Sequence, residues 1–424
     1  MRFRTHALAL VLSVPLAFGV AVVGSPGAAL ADIPTGVPDP LSPEPLQRAA
    51  LIAMPAVWQV QTTVRMTGLR TKRGTTISLP SRARTVNREG TAFAVTPDGY
   101  LVTATHVVQP RADDLAASAY LQYLALSGRP HDSTIAAKWV KDNAAVPVGL
   151  TPIETIVRPV AAGAAAKVNR AVAPEIVETD NLRDIALIRV PNLQDAPALG
   201  LDRGVDSGTP IATLGFGSED PFAEKPRGAL VPAVREGVIT RTGPREDEPL
   251  RILSFITNEV ERGDSGGPAI DANGRVRGVV LIKRQAGGGA MAPTDQLLRV
   301  LDRANVRGWE GRTQGLYREA LARASRFDLA GARTDLRRTL ASYPAHGLAA
   351  YEISRVNELQ EARLALAGEP WYRGGLWAAA VSALVIAGVL AALLWKAVNR
   401  SPGVLGPRDR KVPFDRESDG DDEP

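Results

Sequence analysis

The sequence contains no cysteine among its 424 residues. That absence excludes a disulfide scaffold, thiol redox chemistry, a thiolate nucleophile, and cysteine-based zinc or iron–sulfur sites. Histidine is almost as scarce, with four copies, and a His-rich metal centre is excluded with it. There is no low-complexity run, and glycine (39) and proline (32) stay below the level of a disordered or collagen-like chain. What is present is a folded-protein composition, 45% hydrophobic and 22% charged, long enough for two to three domains. The formal charge of +5 and a pI near 9.5 raise the question of a nucleic-acid partner, which turns on where the charges sit.

Two apolar segments read as targeting or membrane elements. Residues 1–31 have the form of a secretory signal: Arg2 and Arg4 precede the uncharged run Ala7 to Val23, and Ala29-Leu30-Ala31 places small residues before Asp32. Leu376 to Trp395 is a 20-residue run without charge, and at 1.5 Å per residue it would match a bilayer core of about 30 Å. Trp371, Tyr372 and Trp377 precede or open it, and Trp395, Lys396 and Arg400 close it. Basic residues concentrate after the run, so the expectation is a single-pass type I cell-membrane protein with a transmembrane helix at 376–395 and a cytoplasmic tail at 396–424.

Between these segments the pattern changes twice. Residues 32–54 open with five prolines from Asp32 to Pro45 and read as a linker. From about 55 to 300, short runs of Val, Ile, Leu and Thr alternate with Gly, Pro and Asp turns, the pattern of an all-β barrel or sandwich. Within it, 112–142 departs: Asp113 and Asp114 open a stretch with Leu115, Tyr120, Leu121 and Leu124 at helical spacing, which predicts an inserted helix. Residues 301–370 read as helices. The spacing of Leu316, Ala320, Ala332, Leu336 and Pro344 resembles one tetratricopeptide repeat, although Glu319, Arg323 and Thr339 depart from that pattern and a single repeat cannot bury its own face. These helices are a candidate surface for a protein partner, or a plain spacer.

Chemistry concentrates in three short motifs. Gly263-Asp264-Ser265-Gly266-Gly267-Pro268 is a glycine-rich turn that can expose a serine Oγ while aiming backbone N–H groups at a developing oxyanion. Serine needs a base, and Thr103-Ala104-Thr105-His106 supplies one at the end of an expected strand; His6, His131 and His346 lie in the leader, a helix-flanking loop and the helical region. An acid that fixes the imidazole tautomer completes the set. Asp184 fits because the apolar Ile185-Ala186-Leu187-Ile188 follows directly, and Asp180 is the competing acid. The chain order histidine, acid, serine excludes an α/β-hydrolase elbow, whose histidine follows the serine.

On these motifs, residues 55–300 resemble the trypsin-like (chymotrypsin-fold) serine peptidases, and among them the bacterial secreted, high-temperature-requirement branch, here without a PDZ module. The resemblance implies a mainly β fold of two six-stranded antiparallel β-barrels, followed by the helical segment and the membrane helix. It implies roles as well: Ser265 as nucleophile, His106 as general base, Asp184 as orienting carboxylate, and the N–H groups of Gly263 and Ser265 as oxyanion hole. No cofactor and no metal are called for. No freed Ile-Val-Gly-Gly start is available to pair with Asp264, so Arg262 or another cation must substitute. By position, Glu259 and Lys283 fall at the pocket for the residue preceding the scissile bond; Glu259 would favour Arg or Lys there unless Lys283 neutralises it.

The basic charge is distributed in a way that does not suit nucleic acid. Arg65 to Arg88 holds seven basic residues and no acid, but none of the aromatics that single-stranded nucleic acid would stack on. The reading is therefore a membrane-anchored serine endopeptidase acting on protein or peptide substrates, with no nucleic-acid partner. The alternative from another class is a silent or latent protease-fold module used for binding or sensing.

Overall fold

The computed structural model describes residues 44–162, 170–204, 206–217, 230–244, 251–283 and 287–368. Its elements run α1 (Pro45–Ala53), β1 (Val57–Arg65), β2 (Gly68–Arg70), β3 (Thr76–Ser78), β4 (Thr85–Ala94), β5 (Tyr100–Thr103), α2 (Thr105–Val108), α3 (Ala112–Leu126), α4 (Ser133–Asn143), β6 (Val146–Val148), β7 (Glu154–Pro159), β8 (Glu175–Asp180) and β9 (Ile185–Arg189). After these come β10 (Pro210–Gly215), β11 (Ala233–Pro244), β12 (Ile252–Ile256), β13 (Pro268–Ile270), β14 (Val276–Lys283), β15 (Gly289–Pro293), α5 (Thr294–Arg303), α6 (Arg312–Ser325), α7 (Leu329–Ser342) and α8 (Ala349–Gly368).

The first half of the chain forms a six-stranded sheet in the order β7-β1-β4-β5-β9-β8, and the second half a closed six-stranded barrel in the order β10-β11-β12-β15-β14-β13. Strands β1 and β4 are long and paired from Val57 opposite Phe93 to Arg65 opposite Thr85, as β-branched, half-buried residues favour. Val57, Val60, Phe93, Leu101, Ile185 and Leu187 of the sheet share a core with Ala212, Leu214, Val276 and Val279 of the barrel. A separate cluster of Ile211, Ile239, Ile256, Ala269, Val280 and Met291 fills the barrel itself.

The expectation of a mainly β chain with two closed barrels is corrected by this topology. One barrel is closed. Among the described residues the first sheet stays open: β7 and β8 are its edges, and β7 meets the approach to β8 through the isolated bridge Val157–Val172, short of a paired ladder. The chain is mixed helix and strand, since helices flank the strands and pack on them. In the stretch expected as linker, Pro45–Ala53 is a helix that buries Ala49, Ala50, Leu51 and Ala53; proline is well tolerated at that first helical turn. The insert comprises two helices, α3 and α4, which build a satellite core around Leu115, Tyr120 and Val140 over the small sheet β3-β2-β6, with Trp139 stacked on Tyr120 at 3.8 Å between ring centres.

The expected transmembrane helix is corrected as well, and with it the single-pass membrane localisation. Among the described residues no helix is long and apolar enough to cross a membrane. Even the longest, α8, carries Glu352, Arg355, Glu358 and Glu361 along its length. The run Leu376–Trp395, the leader at 1–31 and the tail at 396–424 lie outside the described residues.

Candidate active site

Asp184 opens β9 at φ 60°, a left-handed conformation that aspartate tolerates better than most residues. From there its carboxylate reaches both ends of His106. Oδ1 accepts the His106 backbone N–H at 3.0 Å, and Oδ2 lies 2.8 Å from His106 Nδ1. The carbonyl of Asp184 also accepts the Thr105 N–H at 3.2 Å. Helix α2 is a single turn, and Asp184 thus binds its first N–H groups and fixes the ring on it. Burial pushes the Asp184 carboxyl up, but hydrogen bonds from the His106 ring, the charges of His106 and Arg251 and the His106 N–H outweigh it and hold it below its ordinary value.

The competing acid is engaged elsewhere. Asp180 accepts the Arg183 N–H at 2.9 Å, and its second oxygen is shared by Arg183 Nη1 at 2.6 Å and Arg303 Nη2 at 2.9 Å. Burial raises its carboxyl and these arginine contacts lower it further than burial raises it. Asp180 therefore pins the β8–β9 turn to α5, while Asp184 serves the histidine.

Ser265 arrives from the barrel side. Its loop is pressed against β4 and the end of β5, just before His106, by glycines that leave no room for a side chain. A Cβ on Gly266, which sits at φ 89°, would lie 2.1 Å from the Thr91 carbonyl oxygen and 2.7 Å from the Ala104 nitrogen. Gly263 adopts φ 101°, and a Cβ there would lie 2.8 Å from the Phe216 oxygen. Thr91 of β4 ties the loop down: its N–H donates to the Ser265 oxygen at 2.9 Å, and its hydroxyl donates to the Gly263 oxygen at 2.7 Å while accepting the Phe216 N–H at 3.0 Å. The Ser265 hydroxyl itself donates to the Leu281 carbonyl of β14 at 3.1 Å. His106 and Asp184 are thus in direct contact, and Ser265 is anchored beside their strand with its Oγ on a backbone acceptor.

The acid before the serine has its cation, and that cation is not its neighbour. Asp264 is buried, accepts the Gly217 N–H at 2.8 Å and the Glu261 N–H at 2.7 Å, and pairs with Arg235 Nη1 of β11 at 2.9 Å. Arg262 is exposed. Another arginine, the buried Arg251 just before β12, donates Nη2 to Asp184 Oδ2 at 3.1 Å. Sequence reasoning missed both, because arginines 29 and 67 residues from their partners carry no local signal. Glu259 is exposed just beyond β12. Lys283 ends β14 opposite Gly289, with its side chain outside the described residues. Among the described residues no group of acids and histidines could hold a metal ion.

Comparison with known proteins finds similarities for part of this chain. Residues 90–279 match the model of the trypsin-like peptidase domain. The chain is 35% identical over 109 residues to the serine protease Rv3671c of Mycobacterium tuberculosis, an alignment covering 25% of this chain and 26% of that protein. It therefore spans about a quarter of the length of the curated relatives it matches. Among solved structures, the HtrA-type protease AlgW with tripeptide is similar at 21% identity and a TM-score of 0.36, covering 60% of this chain and 61% of that one. A serine endoprotease from Yersinia pestis is similar at 17% identity and a TM-score of 0.37, covering 62% and 67%.

Proposed function

From a chain that carries a trypsin-like peptidase domain at residues 90–279, we propose a serine endopeptidase that cleaves protein or peptide substrates through Ser265, His106 and Asp184. The observation that carries this reading is the His106–Asp184 pair at 2.8 Å, set at the end of the strand against which the Gly263–Gly267 loop is packed.

The steps follow from the side chains. Rotation about χ1 releases the Ser265 Oγ from the Leu281 carbonyl and turns it to His106 Nε2. As Oγ attacks the substrate carbonyl, its proton passes to Nε2, and the Asp184 carboxylate stabilises the imidazolium through Nδ1. Negative charge collects on the substrate oxygen, facing the N–H groups of Gly263 and Ser265. Collapse of the tetrahedral intermediate breaks the C–N bond, and His106 returns the proton to the leaving amine. Water, deprotonated by the same imidazole, then hydrolyses the acyl-enzyme and restores the serine.

A latent module is the second reading, favoured by the Ser265–Leu281 bond. Its weight can be judged by magnitude. One neutral hydrogen bond contributes about 1 kcal/mol, less than a tenfold effect on the population of competent serine, so this bond alone is too weak a lock to silence the site. Labelling of the full-length protein with a serine-reactive fluorophosphonate decides between them. The peptidase reading expects labelling that Ser265→Ala and His106→Ala abolish; absence of labelling in the unaltered protein rejects it.

A further inference from the structure

Arginine in a protein interior is expensive unless its charge is met, and Arg251 is 8% exposed. Among the described residues, an anion it meets is Asp184. Oδ2 of that carboxylate takes the Arg251 Nη2 at 3.1 Å and faces His106 Nδ1 at 2.8 Å, while Oδ1 takes the His106 N–H. Three donors from two directions leave the carboxylate little freedom to rotate. Two of them come from α2 beside the first sheet. The third comes from the segment entering β12 of the barrel, so Arg251 joins the two halves of the peptidase domain at the acid of the triad.

An imidazole and a carboxylate need no cation for this work. The guanidinium and the ring nitrogen touch one oxygen and so lie within about 6 Å of each other, with that oxygen held between them. Other charged residues nearby hold other positions. Asp180 pairs with Arg183 and Arg303. On the strands packed against α2, Arg65 pairs with Glu154, Arg88 reaches Ser118 and Arg189 lies over the Tyr100 ring, with Glu89 as the acid of β4.

We propose that Arg251 is a positioning residue of the triad, holding the Asp184 carboxylate from the barrel side in the orientation that meets His106 Nδ1. This rests on the reading of His106, Asp184 and Ser265 as a working triad.

The test is kcat and KM for a peptide ester, measured on the full-length protein, on Arg251→Gln and on Arg251→Lys, with fluorophosphonate labelling alongside. Arg251→Gln removes the charge and the planar fork, and should lower kcat by about tenfold or more while KM stays within about twofold of the parent. Arg251→Lys keeps the charge without the fork, and should recover part of that loss. A folded Arg251→Gln protein with the parent's kcat overturns the proposal, as does a loss confined to KM or one that Arg251→Lys does not recover in part. Should the glutamine variant not fold, an Arg251→Lys protein with the parent's kcat overturns it. Failure of the unaltered protein to label rejects the peptidase reading itself; normal labelling with an unchanged kcat in Arg251→Gln rejects only the role of Arg251.

Discussion

Substituting Arg235 by methionine isolates the cation that serves Asp264. The pair is 2.9 Å long, with the Asp264 side chain 3% exposed and that of Arg235 22%. Removing one partner of a buried ion pair costs about 3–5 kcal/mol, because the remaining charge stays desolvated. Here the carboxylate keeps two N–H donors, from Gly217 and Glu261, and the arginine is partly solvated, so about 2–3 kcal/mol is the expected loss. Against a typical total of about 5–15 kcal/mol the protein should still fold. A second effect is local. Asp264 lies between Gly263 and Ser265, the residues whose N–H groups are proposed to face the oxyanion, and a carboxylate that turns toward water drags that loop with it. Misplacing one such donor costs about a hundredfold in rate. Urea unfolding gives the first quantity and the rate of fluorophosphonate labelling the second. A double-mutant cycle with Asp264→Asn should show coupling of at least about 1 kcal/mol between the two sites. Stability within about 0.5 kcal/mol of the parent and an unchanged labelling rate in Arg235→Met would refute the reasoning, and so would strict additivity.

Gly266→Ala should cost more than about 3 kcal/mol and abolish labelling, because its Cβ meets the fixed Thr91 backbone at 2.1 Å at a positive φ; recovery of a folded, labelled protein would contradict the packing described. In the helical region, His346 is fully buried, with its Nδ1 accepting the Ala349 N–H at 3.0 Å at the start of α8, and desolvation pushes its imidazole down to about 3. An unfolded chain binds that proton near pH 6.5, so between these values the unfolded state takes up more protons and stability falls as the pH is lowered, by about 1.4 kcal/mol per unit. His346→Asn, which keeps an acceptor for the helix, should remove this slope; urea midpoints that drop from pH 7 to pH 5 as steeply as in the parent would contradict it.

Short-range pattern carried much of the information about this molecule. Pro210–Gly215 is legible as a strand because its apolar residues sit between a proline and a glycine, and Asp328 as a helix start because its carboxylate can accept the Gly331 N–H, as it does at 3.0 Å. The three site motifs are legible for the same reason: each is a run in which chemistry and turn geometry coincide. What depends on long-range pairing was not. Whether β7 and β8 pair to close the first sheet depends on distant residues such as Val157 and Val172, which meet in an isolated bridge alone, and no periodicity encodes that. The helix at Pro45–Ala53 hid behind a proline that elsewhere marks extended chain, and its Ala49, Ala50, Leu51 and Ala53 become meaningful once a core exists to receive them. Arg235 and Arg251 carry no motif of their own, and only the fold brings them onto Asp264 and Asp184. At the C-terminal end a helix long and apolar enough to span a membrane was expected, and none is found among the described residues.

The most direct measurement of the central claim is mass spectrometry of the full-length protein after reaction with a fluorophosphonate, with the adduct mapped to a single residue. A triad built from Ser265, His106 and Asp184 predicts one phosphonyl group per chain, on Ser265, absent from the His106→Ala protein. An adduct on another serine, or none on the folded protein at neutral pH, would contradict it.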